Sequence, residues 1–205
     1  MTVLLASGEY PRHETPLRLL AEAERIVCCD GAVNELCAHG LTPGWIVGDL
    51  DSISPELRTR FSDRVVHEPS QDNNDLSKAF HFCLRNGWRD IVILGAGGKR
   101  EDHLLGNISL LADFACEACV SMVTNFGVFR AFVESPATLD ATPGQQVSIF
   151  SCDAETRVCG NGFKYPLDNL QLRRWWTATL NEAIVPSPTL HFTRGPLIVC
   201  QSFSR

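Results

Sequence analysis

Two aspartates stand two residues apart in Ile46-Val47-Gly48-Asp49-Leu50-Asp51-Ser52, directly after the apolar run Trp45-Ile46-Val47. Side chains at i and i+2 of an extended segment point to the same side, so Asp49 and Asp51 present two carboxylates to one spot. Like charges that close need a counter-cation, and hard carboxylate oxygens suit Mg²⁺, which is commonly shared with substrate phosphates. Gly48, before the first acid, lets another group come close to the backbone. A plainer reading stands beside this one. In it both acids sit in a solvated strand-to-helix loop, and Asp51 or Ser52 caps a helix that starts near Pro55.

Two further polar blocks lie downstream. Gln71-Asp72-Asn73-Asn74-Asp75-Leu76-Ser77-Lys78 opens a helix whose buried stripe is Leu76, Ala79, Phe80 and Cys83, at the i, i+3, i+4, i+7 spacing. Asp75 and Lys78 are three apart and meet on one side of its first turn. Asp72 and Asn74 are good N-caps and Asp75 suits the helix dipole, but so many polar groups before one helix exceed what capping requires. The second block, Gly95-Ala96-Gly97-Gly98-Lys99-Arg100-Glu101-Asp102-His103, follows a strand and opens another helix. Its glycines permit close backbone approach, and amides at a helix N-terminus bind anions. It matches neither the Walker A pattern nor a Gly-x-Gly-x-x-Gly fingerprint. Arg100 is suited to clamp phosphate oxygens with its forked guanidinium, Asp102 adds another acid, and Asn107 lies one turn after His103. In the plainer reading Asp102 caps the helix and the glycines make a tight turn. His103 is the one histidine inside a polar cluster and receives no catalytic role. Acyl transfer and zinc hydrolysis lack their markers, since no Gly-x-Ser-x-Gly or His-Glu-x-x-His occurs.

The elements that must position these groups alternate. Apolar β-type runs at Thr2–Ser7, Arg25–Cys29, Trp45–Gly48, Arg64–His67, Asp90–Leu94 and Cys119–Thr124 are separated by helix-favouring stretches at Thr15–Ala23, Ala32–His39, Pro55–Phe61, Leu76–Asn86 and His103–Cys116. That alternation predicts an α/β fold, a mostly parallel sheet with helices on both faces. Ligands of such sheets bind beyond the carboxyl ends of the strands, where Asp30, Asp49, Asp51 and Gly95–Arg100 fall. From about Phe126 the pattern changes to short runs at Val128–Val133, Gln146–Phe150, Thr156–Cys159 and Leu197–Cys200, split by turn signals such as Pro143-Gly144 and Gly195-Pro196. Leu167–Leu172 has the makings of one helical turn. The expectation is two domains, an α/β catalytic domain over residues 1–125 and a smaller antiparallel β-sandwich over 126–205.

Composition narrows the class. Of the 205 residues 44% are hydrophobic and 20% charged, proportions of an ordinary globule with material for a core. A net charge of −6 and a pI of about 5.5 argue against nucleic-acid or anionic-membrane partners. No run approaches the roughly 20 apolar residues of a membrane span. The start, Met1 to Gly8, reads as a first strand and not as a signal peptide. The expected location is therefore the cytoplasm, with the nine cysteines reduced and structural; Cys116-x-x-Cys119 has redox-like spacing but ends a helix instead of opening one.

In this order the blocks resemble the thiamine pyrophosphokinase family. Its Asp-Gly-Gly/Ala-x-Asn block is matched by Asp30-Gly31-Ala32-Val33-Asn34, its Gly-Asp-x-Asp-Ser by Gly48 to Ser52, and its Gln-Asp-x-Thr-Asp-x-x-Lys by Gln71 to Lys78. Its glycine loop with Arg-x-Asp-His and a later asparagine is matched by Gly97 to His103 and Asn107. Gly162-Phe163-Lys164-Tyr165-Pro166-Leu167 and Asn181-Glu182 match C-terminal blocks. Two positions depart: Asn74 stands where threonine is usual, and Leu180 where the family has a serine associated with thiamine.

The resemblance implies transfer of a diphosphate from ATP to the hydroxyl of thiamine, giving thiamine diphosphate and AMP. It implies Mg²⁺ on Asp49, Asp51 and Asp75, with Asp102 as a further ligand. Arg100 and Lys78 would neutralise phosphate oxygens, and Gln71 and Asn107 would orient ligands. Asp30, Asn34, Asp72, Asn74, Gly97 and Gly98 join the nucleotide-binding set. Asn181 and Thr179, or Thr177 in the place of Leu180, turn to thiamine. Asp75 or Asp102 would accept the alcohol proton. The family is homodimeric, with thiamine between the α/β domain of one subunit and the β domain of the other. Trp175 or Trp176 either faces the thiazolium or anchors the β domain. Two rivals remain: a haloacid-dehalogenase-like phosphatase with Asp49 as nucleophile, though that motif normally ends the first strand, and a non-catalytic nucleotide or thiamine sensor with Leu180 as its clue.

Overall fold

The computed structural model describes residues 1–203. The chain divides into two compact units, one of Met1–Leu110 with Ala118–Asn125, the other of Leu111–Glu117 with the chain from Phe126 onward. The first contains β1 (Thr2–Leu5), α1 (Glu14–Ala21), β2 (Arg25–Cys29), α2 (Ala32–Ala38), β3 (Trp45–Gly48), α3 (Pro55–Arg60), β4 (Val65–His67), α4 (Asp75–Arg85), β5 (Asp90–Leu94), the start of α5 (Glu101–Ala115) and β6 (Cys119–Val123). Its strands lie in the order β6-β5-β1-β2-β3-β4, and the pairs along that order are parallel. Val3, Leu4, Val27, Cys28, Ile46, Val47, Ile91 and Ile93 are buried, as strands covered on both faces require.

This topology builds one functional edge. The chain steps outward from β1 to β4 and then returns to the other side of β1 with β5, so the strand order reverses between β1 and β5. Right-handed crossovers then put α4 on the opposite face from α1 to α3; α2 packs on β2, and α4 packs across β1, β2 and β3. Register brings the strand ends level, since Leu5 pairs with both Cys28 and Leu94, and Cys29 with Val47. The residues that follow, Ala6, Asp30, Asp49 and Gly95, therefore emerge side by side at the switch point, where open α/β sheets bind ligands.

The helix starts settle one open choice. α3 is capped by Ser54, whose hydroxyl accepts from the Leu57 amide, with Pro55 in its first turn. Neither Asp51 nor Ser52 caps that helix, and the capping reading of those residues falls.

The second unit contains β7 (Gly127–Phe132), β8 (Ala137–Thr138), β9 (Gln146–Ser151), β10 (Arg157–Asn161), β11 (Leu167–Gln171), β12 (Ala178–Glu182), β13 (Thr189–Phe192) and β14 (Leu197–Ser202). These form two antiparallel four-strand layers, β12-β9-β14-β7 and β11-β10-β13-β8. Val147, Ile149, Leu197 and Val199 from the first layer share a core with Val158, Leu167, Leu190 and Phe192 from the second, a sandwich arrangement. The helical turn expected at Leu167–Leu172 is instead strand β11. Its Leu167 is buried while Asp168 and Asn169 are exposed, and pairing with β10 overrides a weak local preference.

Candidate active site

Three carboxylates converge at the strand ends. Asp30 leaves β2, Asp49 and Asp51 leave β3, and one oxygen from each lies within 4.8 Å of the others. Asp30 is 3% exposed. Its Oδ2 accepts from the Ser52 amide at 3.0 Å, while its Oδ1 is buried with no hydrogen-bond partner. Such an orphan is costly in a protein interior unless a cation completes it. Burial pushes the Asp30 carboxyl above its usual range, against the pull of the Ser52 bonds; the nearby Asp75 charge adds to the rise. Asp49 is held the other way, its carboxyl lowered chiefly by the Gln71 amide, which donates to Oδ2 at 3.1 Å. Asp51 accepts from the Ser52 hydroxyl at 2.7 Å. An all-oxygen, all-carboxylate donor set with one unsatisfied buried oxygen fits a hard divalent cation.

The backbone is bent to make this cluster. Asp30 and Leu50 both have positive φ, 43° and 68°, conformations that L side chains enter at a cost. A β-carbon on Gly48 would lie 2.8 Å from the Asp30 β-carbon and 3.2 Å from Asp75 Oδ1, so only glycine lets the acids close in. Asn34 pins the loop from below, donating to the Ser52 carbonyl at 2.9 Å and accepting from the Ser54 amide at 3.1 Å. Its role here is to hold the acid loop.

Asp75 lies beside this trio without belonging to it. Its Oδ1 takes the Lys78 ammonium at 2.9 Å, and that lysine side chain is only 6% exposed. The grouping of Asp30 with Asp49 and Asp51 thus differs from the expected trio of Asp49, Asp51 and Asp75. A signal for Asp30 was present: an aspartate directly after β2, in the position Asp49 holds after β3. Asn74 caps α4 by accepting from the Ser77 amide at 2.9 Å, and it donates to Asn107 Oδ1 at 3.4 Å. Asn107 in turn donates to the Ala96 carbonyl at 2.8 Å. α4 and the glycine loop are thereby tied together.

A cleft of about 440 Å³ opens over these groups. Asp30, Asp49, Gln71, Asn74, Asp75, Lys78, Gly97, Arg100, His103 and Asn107 line it, and so do Ser7, Gly8 and Lys99. Sequence reading gave those last three no role. The Lys99 ammonium donates to the Ser7 carbonyl at 3.1 Å, and Gly8 is packed so closely on the Gly95 and Gly97 carbonyls that it has no room for a β-carbon. Gly98, at φ 85°, packs likewise on Glu9. The lining therefore holds carboxylates together with the cations of Lys78, Lys99 and Arg100, Lys78 being paired with Asp75.

Some expected residues stand apart. Asp102 makes a two-point ion pair with Arg100 at 3.1 and 2.5 Å, is exposed, and does not line the cleft; the guanidinium lowers its carboxyl to about 2. Asp72 is exposed and bonded to Ser70. In the second unit, Asn181 is buried and clasps the Tyr165 backbone at 2.9 and 3.1 Å, and the Thr179 hydroxyl donates to the Trp176 carbonyl at 3.0 Å. Trp176 is 74% exposed; Trp175 tilts against Phe150 with ring centroids 5.9 Å apart. All nine cysteines are free thiols, with Cys28, Cys29 and Cys83 buried. Among the described residues no helix is long and apolar enough to cross a membrane.

Comparison with known proteins agrees across both units. The family model "Thiamin pyrophosphokinase, catalytic domain" matches residues 17–123, and "Thiamin pyrophosphokinase, substrate-binding domain" matches 127–199. Thiamin pyrophosphokinase 1 of Caenorhabditis elegans is 32% identical over 165 residues, which cover 74% of this chain and 68% of the relative. Thiamine pyrophosphokinase of Bacillus subtilis is 28% identical over 171 residues, 80% of each chain. The crystal structure of thiamin pyrophosphokinase from Geobacillus thermodenitrificans superposes with a TM-score of 0.80 at 29% identity, covering 100% of this chain and 98% of that one.

Proposed function

The chain belongs to the thiamin pyrophosphokinase family, a family of diphosphotransferase enzymes, and from that premise we propose that it transfers a diphosphate from ATP to the hydroxyl of thiamine. The thiamine oxygen forms a bond to the β-phosphorus. The bond from that phosphorus to the α,β-bridging oxygen breaks, and AMP departs with the bridging oxygen on its α-phosphate. Catalysis of this kind rests on positioning and charge. Asp30, Asp49 and Asp51 would hold Mg²⁺, which when bound supplies positive charge to the phosphate oxygens. The observation that carries this reading is the buried, unpartnered Asp30 Oδ1 beside two more carboxylates, at a cleft that Lys78, Lys99 and Arg100 also line.

The chain's own side chains divide the remaining work. Lys78, Lys99 and Arg100 neutralise the polyphosphate as a point charge, a second point charge and a fork. Gln71 holds Asp49 in orientation, and Asn74 and Asn107 fix α4 against the glycine loop. Of the two candidate proton acceptors Asp75 is the better, because it lines the cleft. Asp102 faces Arg100 with its carboxyl at about 2, too weak a base for an alcohol near neutral pH. Thiamine would be met by the substrate-binding unit, in a cytoplasmic homodimer whose partner subunit completes the site. Leu180 replaces the serine of that unit's motif; its amide is taken by the Ser148 hydroxyl at 3.0 Å, so the neighbouring Thr179 hydroxyl oxygen would make the polar contact.

Chromatographic measurement of AMP, with and without thiamine, tests the proposal. AMP that forms only when thiamine and Mg²⁺ are both present supports it. Orthophosphate released without AMP would restore the phosphatase reading, and tight thiamine binding without product would restore the sensor.

A further inference from the structure

Sheet register brings a distant residue to the edge of the site. Leu94 of β5 pairs with Leu5 of β1 on one side and with Val123 of β6 on the other, so the chain leaving β6 emerges level with the chain leaving β1. Asn125 follows β6 and bonds to that neighbouring segment. Its carboxamide oxygen accepts from the Arg12 amide at 2.7 Å and from the His13 amide at 3.1 Å, and its nitrogen donates to Glu9 Oε2 at 3.1 Å. The other Glu9 oxygen takes the Arg12 guanidinium at 2.7 Å. Asn125 is half-buried, and neither it nor Glu9 lines the acid cleft.

The loop held in this way is itself bonded to the glycine loop. The Gly8 amide donates to the Gly95 carbonyl and the Glu9 amide to the Gly97 carbonyl, both at 2.7 Å. The Glu9 side chain lies so close to Gly98 that a β-carbon there would stand 2.5 Å from its own. The Lys99 ammonium returns to the Ser7 carbonyl at 3.1 Å. Residues 7–9 are thus a template for residues 95–99. A free carboxylate at that place would repel a polyphosphate, but Arg12 and Asn125 occupy both Glu9 oxygens. The pattern needs a donor and an acceptor together at position 125: a carboxylate would accept from the two amides but could not donate to Glu9.

We propose that Asn125 and Glu9 are positioning residues that act from outside the cleft: together they hold the loop after β1 against the glycine loop and so fix where Lys99 and Arg100 stand. The inference rests on the diphosphate-transfer reading, in which those cations meet phosphate. A shift of about 1 Å in such groups is enough to cost about 100-fold in rate.

Asn125→Asp, made in the full chain, keeps the acceptor for both backbone amides and sets a second carboxylate against Glu9. At a temperature where the variant is fully folded it is expected to lower kcat at least about tenfold, with the thiamine KM within about twofold. Adding Glu9→Gln lets the introduced amide donate to the introduced carboxylate, and should return kcat to within about threefold of wild type. Hydrogen–deuterium exchange supplies a readout that needs no reaction. The Gly8 and Glu9 amides should exchange at least about tenfold faster in Asn125→Asp and recover in the double variant. Wild-type kcat in Asn125→Asp would overturn the inference, as would a loss that Glu9→Gln does not mend, or lowered stability with unchanged exchange at Gly8 and Glu9. Should Asn125→Asp not fold, Glu9→Ala carries the test, and there too unaltered kcat or unaltered exchange at Gly8 would overturn it. If the wild-type protein makes no AMP from ATP and thiamine, the diphosphate reading fails on its own, and the exchange rates still decide whether Asn125 braces the loop.

Discussion

At the scale of single residues, Asp30 is the costly group. Burial lifts its carboxyl above the usual carboxylate value, so the folded protein holds that proton more tightly than the unfolded chain does. Asp30 therefore opposes folding progressively as pH rises from the unfolded value through the folded one, and the penalty is complete above it. At neutral pH, without a cation, Asp30→Asn should raise the melting temperature by about 2–4 °C, the shift that about 1 kcal/mol makes at this size. The same variant should lose the added stability that Mg²⁺ gives the wild-type protein, an effect thermal unfolding with and without the ion reads directly. Equal Mg²⁺ stabilisation of both proteins would count against Asp30 as a ligand. Asp51→Asn should fold normally and turn over at least ~100-fold more slowly, about 2.7 kcal/mol in the barrier; near-normal rates at dilute Mg²⁺ would contradict that role.

At the scale of elements, α4 and β12 each depend on how they begin or bend. Asn74 stands where the family's threonine was expected, and the structure gives the reason both are accepted: each can cap α4, as Asn74 does for the Ser77 amide. Asn74→Thr should be nearly neutral, whereas Asn74→Ala should cost about 1 kcal/mol in denaturant unfolding and also slow turnover, because Asp75 and Lys78 sit in that first turn. An alanine variant with wild-type stability would refute the cap. Leu180 interrupts β12 with φ 57° and 64% exposure, at a register shift against β9. Leu180→Gly should stabilise the chain by about 1 kcal/mol, and a loss of stability would mean the leucine side chain is held by contacts. These bends mark where sequence reading stopped. The parallel strands were legible because each is a continuous buried apolar run, and Asp49 and Asp51 because two acids follow one. β11 and β12 were not, since bulges and exposed positions break their alternation and cross-strand pairing, invisible in a local window, decides them. Asp30 was recognised as polar equipment, but only the register of β2 against β3 shows it level with Asp49.

At the scale of the whole molecule, each unit has its own family match: the catalytic-domain match spans the strands and helices that carry the carboxylates and cations, and the substrate-binding match falls on the sandwich. Removing divalent metal with a chelator should abolish product formation and return on adding Mg²⁺. The most direct test follows the phosphorus chemistry itself. ATP labelled with heavy oxygen at the α,β-bridge is incubated with the enzyme, thiamine and Mg²⁺, and phosphorus NMR locates the label. Attack at the β-phosphorus predicts that AMP and thiamine diphosphate appear in equal amounts, with the bridging label retained on AMP. Label carried into the thiamine product, or ADP and orthophosphate in place of AMP, would contradict the account.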